Sequence, residues 1–222
     1  MKLIINLNKP IGWTSFDVCK KIKRITKEKK VGHAGTLDPF ASGVLIIGTG
    51  KDTKKLKNIS DKNKSYDASI LLGEITDTLD VEGEVFQKKK VPNLSERKIK
   101  NVLKLFIGEY IQTPPMYSAK KVAGKKLYEY ARKNMTVERK PVKLEIFSIS
   151  LTKYDKKHVS FTVDCSKGTY VRVLGKDIAE NLGTVGYLNY LTRTKVGKYG
   201  INQSKSIENF EKTWKSTIQK KN

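Results

Sequence analysis

The sequence predicts a mixed α/β fold in which a largely antiparallel sheet is flanked by helices. Two β-like runs, VKLEIFSISLTKY and HVSFTVDCSKGTYV, flank a polar turn around Asp155 and predict an antiparallel hairpin. Apolar residues at helical spacing predict a helix from about Phe16 to Thr26. The apolar run from Val44 to Ile47 predicts a buried strand, and no internal repeat or low-complexity linker interrupts the pattern.

The first third of the chain predicts a strand, a capped helix, a second strand and a short helix in that order. Alternating apolar residues predict a strand over Leu3 to Leu7, and Thr14 or Ser15 is placed to cap the helix that follows. After the strand VLIIG, the segment DTKKLKNIS predicts a short helix with a basic exposed side. The segment KSYDASILLG then predicts another strand.

The rest of the chain alternates between helices and strands in the same way. We expect an accessible polar loop at TDTLDVEGE that leads into a short strand around Val85. The remaining predicted elements are a helix from a Ser95 cap through Phe106, an extended stretch after Pro114-Pro115, a turn at Gly124, a helix from about Leu127, the hairpin, a helix from Arg172 to Leu182 that stops at Gly183, the strand-rich segment GYLNYLTRTKVGKYGI, and an amphipathic helix in the tail from Ser206 to Asn222.

The composition argues against several classes of protein. The 222 residues fit one domain, or one domain with a small appendage. The longest apolar stretch is far shorter than the roughly 18 residues of a membrane span. The N-terminal sequence MKLIINLNKP lacks the extended apolar region and the cleavage site of a signal peptide. We therefore expect no membrane segment and a cytoplasmic location.

The cysteines and histidines form neither a disulfide framework nor a metal-binding pattern. Cys19 and Cys165 lie far apart in sequence, in segments that predict a helix and a strand. Two histidines, His33 and His158, are too few for a multi-histidine site. We therefore expect no metal.

The formal net charge of +23 predicts a surface that attracts polyanions, and nucleic acid is the first candidate. The basic residues are 39 lysines and only 6 arginines. An AT-rich genome would raise lysine, asparagine and isoleucine together, so the charge also has a compositional explanation.

The sequence does not match three familiar kinds of functional site. The segment Gly48-Thr49-Gly50-Lys51 has Leu45 and Asp52 where a phosphate-binding P-loop requires glycine and serine or threonine. The acidic segment TDTLDVEGE lacks the spacing of a calcium loop, which favours a solvated acidic turn. No triad of serine, histidine and acid can be assembled, which disfavours hydrolase chemistry.

One stretch, GHAGTLDPFASGVL, holds the carboxylate of Asp38 between glycines and a proline. It resembles the signature of the TruB family of tRNA pseudouridine synthases. Four further segments resemble other blocks of that family in the same order: NKPIGWTS, KSYDASILLGEITDTLDVEG, QTPPMYSAKKVAGKKLYEYAR and CSKGTYVRVLGKDIAENLG. The resemblance extends from about Asn6 to Gly200.

The resemblance implies the pseudouridine synthase fold and an enzyme that isomerises a uridine in the T loop of tRNA without a cofactor. It implies that Asp38 is the catalytic aspartate. The reaction breaks the N1 glycosidic bond and forms a C5 glycosidic bond, which requires a group acting at the sugar or the ring. Attack on the ring, attack on the sugar and removal of a ribose proton all stay open. Alternatively, Asp38 only caps the turn before Pro39.

The resemblance also implies roles for five residues around the flipped nucleotide. His33 contacts the RNA, Tyr66 stacks on the uracil and helps to remove the C5 proton, and Arg172 pairs with Asp38. Tyr170 and Leu191 line the uridine pocket. From the residues alone, Tyr66 is an ordinary strand tyrosine and Leu191 an ordinary core residue, so both alternatives stay open.

We expect several lysines to support the structure or to bind RNA. Lys9 is expected to support the structure of its motif. Four lysines of the AKKVAGKK segment are expected to follow the phosphate backbone, although simple solvation explains them as well: Lys120, Lys121, Lys125 and Lys126.

We expect residues 1–205 to form the catalytic domain and residues 206–222 a short helical tail without the PUA module that family members usually carry. The expected partner is the T stem-loop of tRNA, bound by a monomer with no obligate protein partner. A basic RNA-binding protein or tRNA chaperone without catalytic activity is the first alternative. A guide-RNA-dependent member of the superfamily, acting on ribosomal RNA in a larger particle, is the second.

Overall fold

A computed structural model of the chain describes residues 3–219, which group into two units. Unit 1 contains the described residues up to Tyr66 and from Thr192 onward, and unit 2 contains residues 67–191. Nine strands belong to one mainly antiparallel sheet, and the described residues also form six α-helices. The predicted mixed α/β class is confirmed.

The elements follow the order that the sequence pattern predicts. The strands are β1 (Leu3–Lys9), β2 (Val31–His33), β3 (Ser42–Thr49), β4 (Lys64–Leu72), β5 (Glu74–Thr76), β6 (Val85–Lys88), β7 (Gly108–Gln112), β8 (Lys121–Val122), β9 (Lys125–Lys126), β10 (Val142–Tyr154), β11 (His158–Cys165), β12 (Gly186–Val196) and β13 (Tyr199–Gly200). The helices are α1 (Ser15–Thr26), α2 (Leu56–Ser60), α3 (Glu96–Lys104), α4 (Leu127–Ala131), α5 (Val171–Asn181) and α6 (Ile207–Gln219), and two 3₁₀ helices span Gly50–Lys55 and Ile201–Gln203.

Strand β3 is the centre of the sheet in unit 1. It pairs antiparallel with β1 from Gly43 to Thr49, so that Lys9 lies opposite Gly43. It also pairs antiparallel with β2, with His33 opposite Ile47, and its first residues pair parallel with β12, with Arg193 opposite Gly43. Residues 34–41, which we call the Asp38 loop, therefore connect two neighbouring antiparallel strands.

Helix α1 begins at a capping box and buries one face. The Thr14 hydroxyl accepts a hydrogen bond from the Asp17 amide at 3.1 Å, and the Asp17 carboxylate accepts one from the Thr14 amide at 3.1 Å. The predicted cap is thus confirmed at Thr14. The helix ends at Lys27, whose φ of 58° is left-handed. Its buried residues are Ser15, Val18, Cys19, Ile22 and Thr26.

Helices α1 and α6 share one hydrophobic core with strands β1 and β3. The tail helix contributes Ile207, Phe210 and Trp214, and the last two rings are stacked with centroids 5.9 Å apart. The amphipathic tail pattern therefore forms a helix, whose described part ends at Gln219. Residues 220–222 lie outside the described residues. The predicted boundary between a catalytic domain and a tail at residue 205 stays a prediction.

The sheet continues in the order β12, β4, β11, β10, β7, and unit 2 contains most of the residues of these strands. The predicted hairpin is confirmed, with β10 and β11 antiparallel and Tyr154 opposite Val159. Strand β7 pairs with the other edge of β10, which places Gln112 opposite Val142. Helix α5 ends at Asn181, and Gly183 follows with a φ of 95°, which confirms the predicted stop.

Two predicted elements differ in detail. The segment DTKKLKNIS begins in a 3₁₀ helix and continues as the short helix α2, instead of forming one continuous α-helix. The segment before Val85 contains an additional strand, β5, which pairs antiparallel with β6. Both cysteines are buried and neither is in a disulfide with another described residue, and burial raises the pKa of Cys19 to about 11. Within residues 3–219, no helix combines the length and the apolar character needed to cross a membrane.

Replacement of Gly43 by alanine is expected to destabilise the fold by about 2 kcal/mol or more. Gly43 has a φ of 109°, and an added Cβ would lie 2.3 Å from the Arg193 carbonyl oxygen and 2.7 Å from the Arg193 nitrogen. Both atoms belong to the backbone of the paired strand, so they cannot move aside cheaply. Urea unfolding measures the free-energy change.

Gly200→Ala is the matched control for this substitution. Gly200 has a φ of −96°, and nothing lies within 4 Å of an added Cβ, so no loss of stability is expected. Equal stability of the Gly43→Ala and Gly200→Ala chains would contradict the close approach of β3 and β12.

Candidate active site

The Asp38 loop presents one half-buried carboxylate between β2 and β3. The Asp38 carbonyl accepts a hydrogen bond from the Ala41 amide at 3.1 Å, which closes a turn over Pro39 and Phe40. Gly35 has a φ of 85°, a left-handed conformation that glycine adopts without steric cost. Glycine and proline thus set the backbone path on both sides of Asp38.

The side chain of Arg193 in β12 binds main-chain carbonyls of the Asp38 loop and of β3. Its guanidinium donates from Nε to the Val44 carbonyl at 2.8 Å, from Nη1 to the Thr36 carbonyl at 3.1 Å and from Nη2 to the Gly35 carbonyl at 3.2 Å. The side chain is 1% exposed, so these bonds form out of contact with water. The sequence analysis did not identify this residue.

Lys9 at the end of β1 binds the other side of the loop. Its ammonium donates to the carbonyls of Trp13 at 2.7 Å, Pro10 at 2.8 Å and Pro39 at 3.3 Å, and the residue is fully buried. The Gly12 amide donates to the same Pro39 carbonyl at 2.8 Å. The structural role predicted for Lys9 is confirmed.

Ser15, the first residue of α1, fixes the residue directly before Asp38. Its hydroxyl accepts from the Leu37 amide at 2.9 Å and lies 3.1 Å from the Leu37 carbonyl, to which it donates. Main-chain groups on both sides of Asp38 are therefore held by buried side chains. A carboxylate fixed in this way needs little reorganisation before it acts on a bound group.

His33 and Tyr66, two of the predicted RNA contacts, also belong to unit 1. His33 is the last residue of β2 and is half-buried. Burial lowers the pKa of His33 below its usual range, and the Arg193 guanidinium acts in the same direction. Tyr66 points to the buried face of β4 with Lys64 and Ala68, and is 6% exposed.

Arg172 in unit 2 is a second buried guanidinium. It is the second residue of α5 and is 4% exposed. Its Nη1 donates to the Thr78 carbonyl at 2.6 Å and lies 3.2 Å from Oδ2 of Asp80, and its Nη2 donates to the Tyr117 carbonyl at 2.7 Å. The predicted pairing of Arg172 with Asp38 stays a prediction.

Asp80 corrects the expectation of an accessible acidic turn at TDTLDVEGE. Its side chain is 3% exposed, and Oδ1 accepts from the Thr78 hydroxyl at 2.6 Å and from the Glu82 amide at 3.0 Å. The expectation is wrong for this residue because the Arg172 guanidinium supplies the opposite charge that a buried carboxylate requires. The sequence analysis did not predict that an aspartate of the TDTLD segment forms a buried ion pair.

Tyr170 is held by a buried amide that the sequence analysis also missed. Gln112 accepts from the Tyr170 amide at 2.8 Å and donates to the Tyr170 carbonyl at 3.1 Å. It also donates to the Tyr110 hydroxyl, which donates to Asp177 on α5. Burial raises the pKa of Tyr110 well above its usual range, so this hydroxyl stays protonated. These bonds fix the start of the helix that carries Arg172.

The remaining predicted residues have the following surroundings. Leu191 in β12 is 5% exposed, so its roles as a pocket residue and as a core residue both stay open. The four predicted phosphate-contacting lysines lie on or beside the β8–β9 hairpin, where Lys121 and Lys125 are exposed. Lys126 donates to the Tyr128 hydroxyl at 3.2 Å.

His33 is expected to make the fold less stable at acidic pH. Because the folded-state pKa lies below the unfolded value of about 6.5, the unfolded chain takes up the proton first as the pH falls. Above that pH, His33 is neutral in both states and causes no loss of stability. As the pH falls further, the loss of folding free energy grows by at most about 1.4 kcal/mol per pH unit until the pH is below the folded-state pKa.

Urea unfolding of the wild-type chain and of His33→Gln between about pH 7.5 and pH 5 tests this expectation. The wild-type chain should lose stability relative to His33→Gln on acidification. His158→Gln, which keeps His33, should retain that loss. Parallel pH profiles of the wild-type chain and His33→Gln would contradict it.

Comparisons with known proteins identify the family of the chain. The family model for "TruB family pseudouridylate synthase (N terminal domain)" matches residues 23–171. The tRNA pseudouridine synthase B of Clostridium acetobutylicum is 47% identical over 92% of this chain and 71% of its own length. That of Mesoplasma florum is 43% identical over 95% of this chain and 74% of its own length.

A solved structure is similar over most of the chain as well. The crystal structure of a Cbf5-Nop10-Gar1 complex contains a chain that matches with a TM-score of 0.76 and 29% identity. The match covers 96% of this chain and 56% of that chain, so the present chain spans about half of its length. By the family model and by these relatives, the chain belongs to the TruB family of pseudouridylate synthases.

Proposed function

We propose that this chain converts a uridine in the T loop of tRNA into pseudouridine, with the Asp38 carboxylate as the catalytic group. The observation that carries the proposal is the support of the Asp38 loop by Lys9, Ser15 and Arg193, which hold main-chain groups on both sides of the carboxylate. The relatives named tRNA pseudouridine synthase B support tRNA as the substrate. The net charge of +23 fits a polyanionic partner.

The reaction exchanges one glycosidic bond for another within a single nucleotide. The bond from the sugar to N1 of uracil breaks, the base turns, and the sugar bonds to C5, which loses its proton while N1 gains one. Asp38 acts by attack on the ring, by attack on the sugar or as a base toward the ribose. All three routes require a carboxylate that is fixed beside the nucleotide, and this is the property that the supported loop provides.

The target base is stacked inside the folded T loop, so the nucleotide has to be flipped out at a cost of roughly a few kcal/mol. We propose that Tyr66 stacks on the flipped uracil and that His33 contacts the RNA beside it. Tyr170, Arg172 and Leu191 are proposed as further substrate-binding residues. The hydrogen bonds of Gln112 to Tyr170 and the ion pair of Asp80 with Arg172 support this, because a binding group gains from being fixed before the substrate arrives.

Asp38→Asn is expected to abolish turnover while leaving the fold and tRNA binding intact. The amide keeps the shape of the side chain but has neither the nucleophilicity nor the basicity of the carboxylate, so kcat should fall by several orders of magnitude. The measurement is pseudouridine formation on an unmodified tRNA transcript. Asp61→Asn, a change at an exposed aspartate, serves as the control and should retain wild-type activity.

The same experiment separates the enzyme from an RNA chaperone. A chaperone would remodel tRNA without Asp38 and form no pseudouridine with either chain. Turnover by Asp38→Asn within about tenfold of the wild-type rate would contradict the catalytic role of the carboxylate.

Tyr66→Phe and Tyr66→Leu separate the aromatic ring from the hydroxyl. The phenylalanine keeps a face on which a flipped uracil can stack but cannot accept or relay a proton, so it should slow turnover with little change in RNA affinity. The leucine should impair both turnover and affinity. Single-turnover rates and binding constants for the two chains provide the measurement, and near-normal values for both would identify Tyr66 as a core residue only.

A further inference from the structure

Helix α1 carries a row of exposed side chains that the proposed chemistry does not use. Phe16, Lys20, Lys23, Arg24 and Lys27 are all exposed, while the opposite face of the helix is buried. The first four follow one another at intervals of four, three and one residues, which puts them on one side of the helix, and Lys27 is the left-handed residue that ends it. We call this row the α1 ridge. From Phe16 to Thr26, the last residue of the helix, the rise is about 15 Å.

Phe16, the first residue of the α1 ridge, and two residues of the segment before α1 are exposed apolar side chains beside the Asp38 loop. Ile11 is 64% exposed, Trp13 36% and Phe16 63%. The segment is tied directly to the loop, because Lys9 joins the Trp13 and Pro39 carbonyls and Ser15 is bonded to Leu37. Large apolar side chains are therefore held in solvent next to the residues that flank Asp38.

The second end of the α1 ridge is cationic. An open cleft at this end is lined by Lys20, Lys23, Arg24, Lys27, Glu28 and Lys29. Among the described residues, no carboxylate lies within 4.0 Å of the cations of Lys23, Arg24 or Lys27. Lys21, by contrast, is neutralised by Glu211 of α6 at 2.8 Å.

The helix dipole explains only part of this arrangement. Cations in the last turn, Lys23 and Arg24, are favoured by the negative end of the dipole. The dipole explains neither the exposed aromatic ring at the opposite end nor the Lys20 ammonium that lies 4.7 Å from the centroid of Phe16. An aromatic ring next to a row of cations has the chemistry of a surface for unpaired nucleic acid, since bases stack on the ring and phosphates bind the cations.

We infer that the α1 ridge is a second RNA-binding surface, which stacks an unpaired base on Phe16 and follows the adjoining phosphates with Lys20, Lys23, Arg24 and Lys27. This inference rests on the proposed function for the identity of the RNA, which is tRNA. RNA is favoured over a second copy of this chain because two such surfaces would bring rows of like charge together. The ridge binds the RNA segment that leads away from the nucleotide at Asp38.

The first test compares two triple variants of equal charge. Lys20→Gln, Lys23→Gln and Arg24→Gln are combined in one chain, and Arg97→Gln, Lys98→Gln and Lys100→Gln in the other. Both remove two lysines and one arginine from an exposed helix surface, and Arg97 and Lys98 also line an open cleft on α3. Any difference between the two chains thus arises from position and not from net charge.

The probe is an unmodified tRNA transcript, whose binding is measured by fluorescence anisotropy between about 50 and 200 mM salt. The α1 triple variant should bind at least about tenfold more weakly than the wild-type chain, with the slope of log K against log salt reduced by about 2 to 3. The α3 triple variant should stay within about threefold of the wild-type affinity with an unchanged slope. Equal losses in the two variants would overturn the inference.

The second test addresses the aromatic end through Phe16→Ser and Phe16→Tyr. Because Phe16 is exposed, neither change should alter the melting temperature. The serine should weaken tRNA binding by about fivefold or more without changing the salt slope, and the tyrosine should restore the affinity. Wild-type affinity of Phe16→Ser, or a wild-type dimer that Phe16→Ser dissociates, would overturn the inference.

These measurements report binding, so they are independent of turnover. A wild-type chain that binds tRNA but forms no pseudouridine would overturn the proposed function and leave the comparison of the α1 and α3 variants valid. A wild-type chain that forms pseudouridine, with α1 and α3 variants of equal affinity, would overturn only the α1 ridge.

Discussion

The hydrogen bonds from Arg193 to the carbonyls of Gly35, Thr36 and Val44 are the interaction on which unit 1 depends. Burial of a guanidinium costs several kcal/mol, and each hydrogen bond to a charged group contributes about 1.5 to 3 kcal/mol. The burial is therefore offset only when all three carbonyls stay in place. Gly43 strengthens the constraint, because it lets the backbone of β3 approach the backbone of Arg193 more closely than a residue with a Cβ could. The position of Asp38 follows from this requirement.

The positive charges of the two buried arginines are stabilised by different partners. Arg193 is neutralised by carbonyl dipoles, whereas Arg172 has the carboxylate of Asp80 as well as the carbonyls of Thr78 and Tyr117. A planar guanidinium with five donors can satisfy several acceptors at fixed angles, which a lysine ammonium cannot do. In a chain with 39 lysines and 6 arginines, two of the few arginines are thus buried at positions that hold candidate site residues.

Local patterns in the sequence predicted most elements of the fold, and the buried contacts that were missed around the candidate site have one physical cause. The Thr14 cap, the β10–β11 hairpin and the stop at Gly183 depend on residues that are close in sequence. The burial of Asp80 depends on Arg172, which is 94 residues from its other acceptor, Thr78, and the support from Arg193 acts on Thr36 across 157 residues. The periodic spacing of apolar residues does not show which residues pair across such long separations in sequence. The supporting role of Lys9 was correctly predicted, and two of its three acceptors, Pro10 and Trp13, lie in its own motif, whereas its bond to Pro39 spans 30 residues.

Helix α1 connects the geometry of the Asp38 loop with the outer surface of unit 1. Its first residue, Ser15, bonds to Leu37, and its buried face packs in the core with α6 and β1. The direction of the helix is therefore fixed by the same contacts that fix the loop. A side chain on the exposed face, such as Phe16, therefore has a defined position relative to the Asp38 loop. Because the spacing is set by a rigid element, RNA bound at the proposed site would meet the α1 ridge at a fixed distance, and binding there would add to affinity without a rearrangement of the protein.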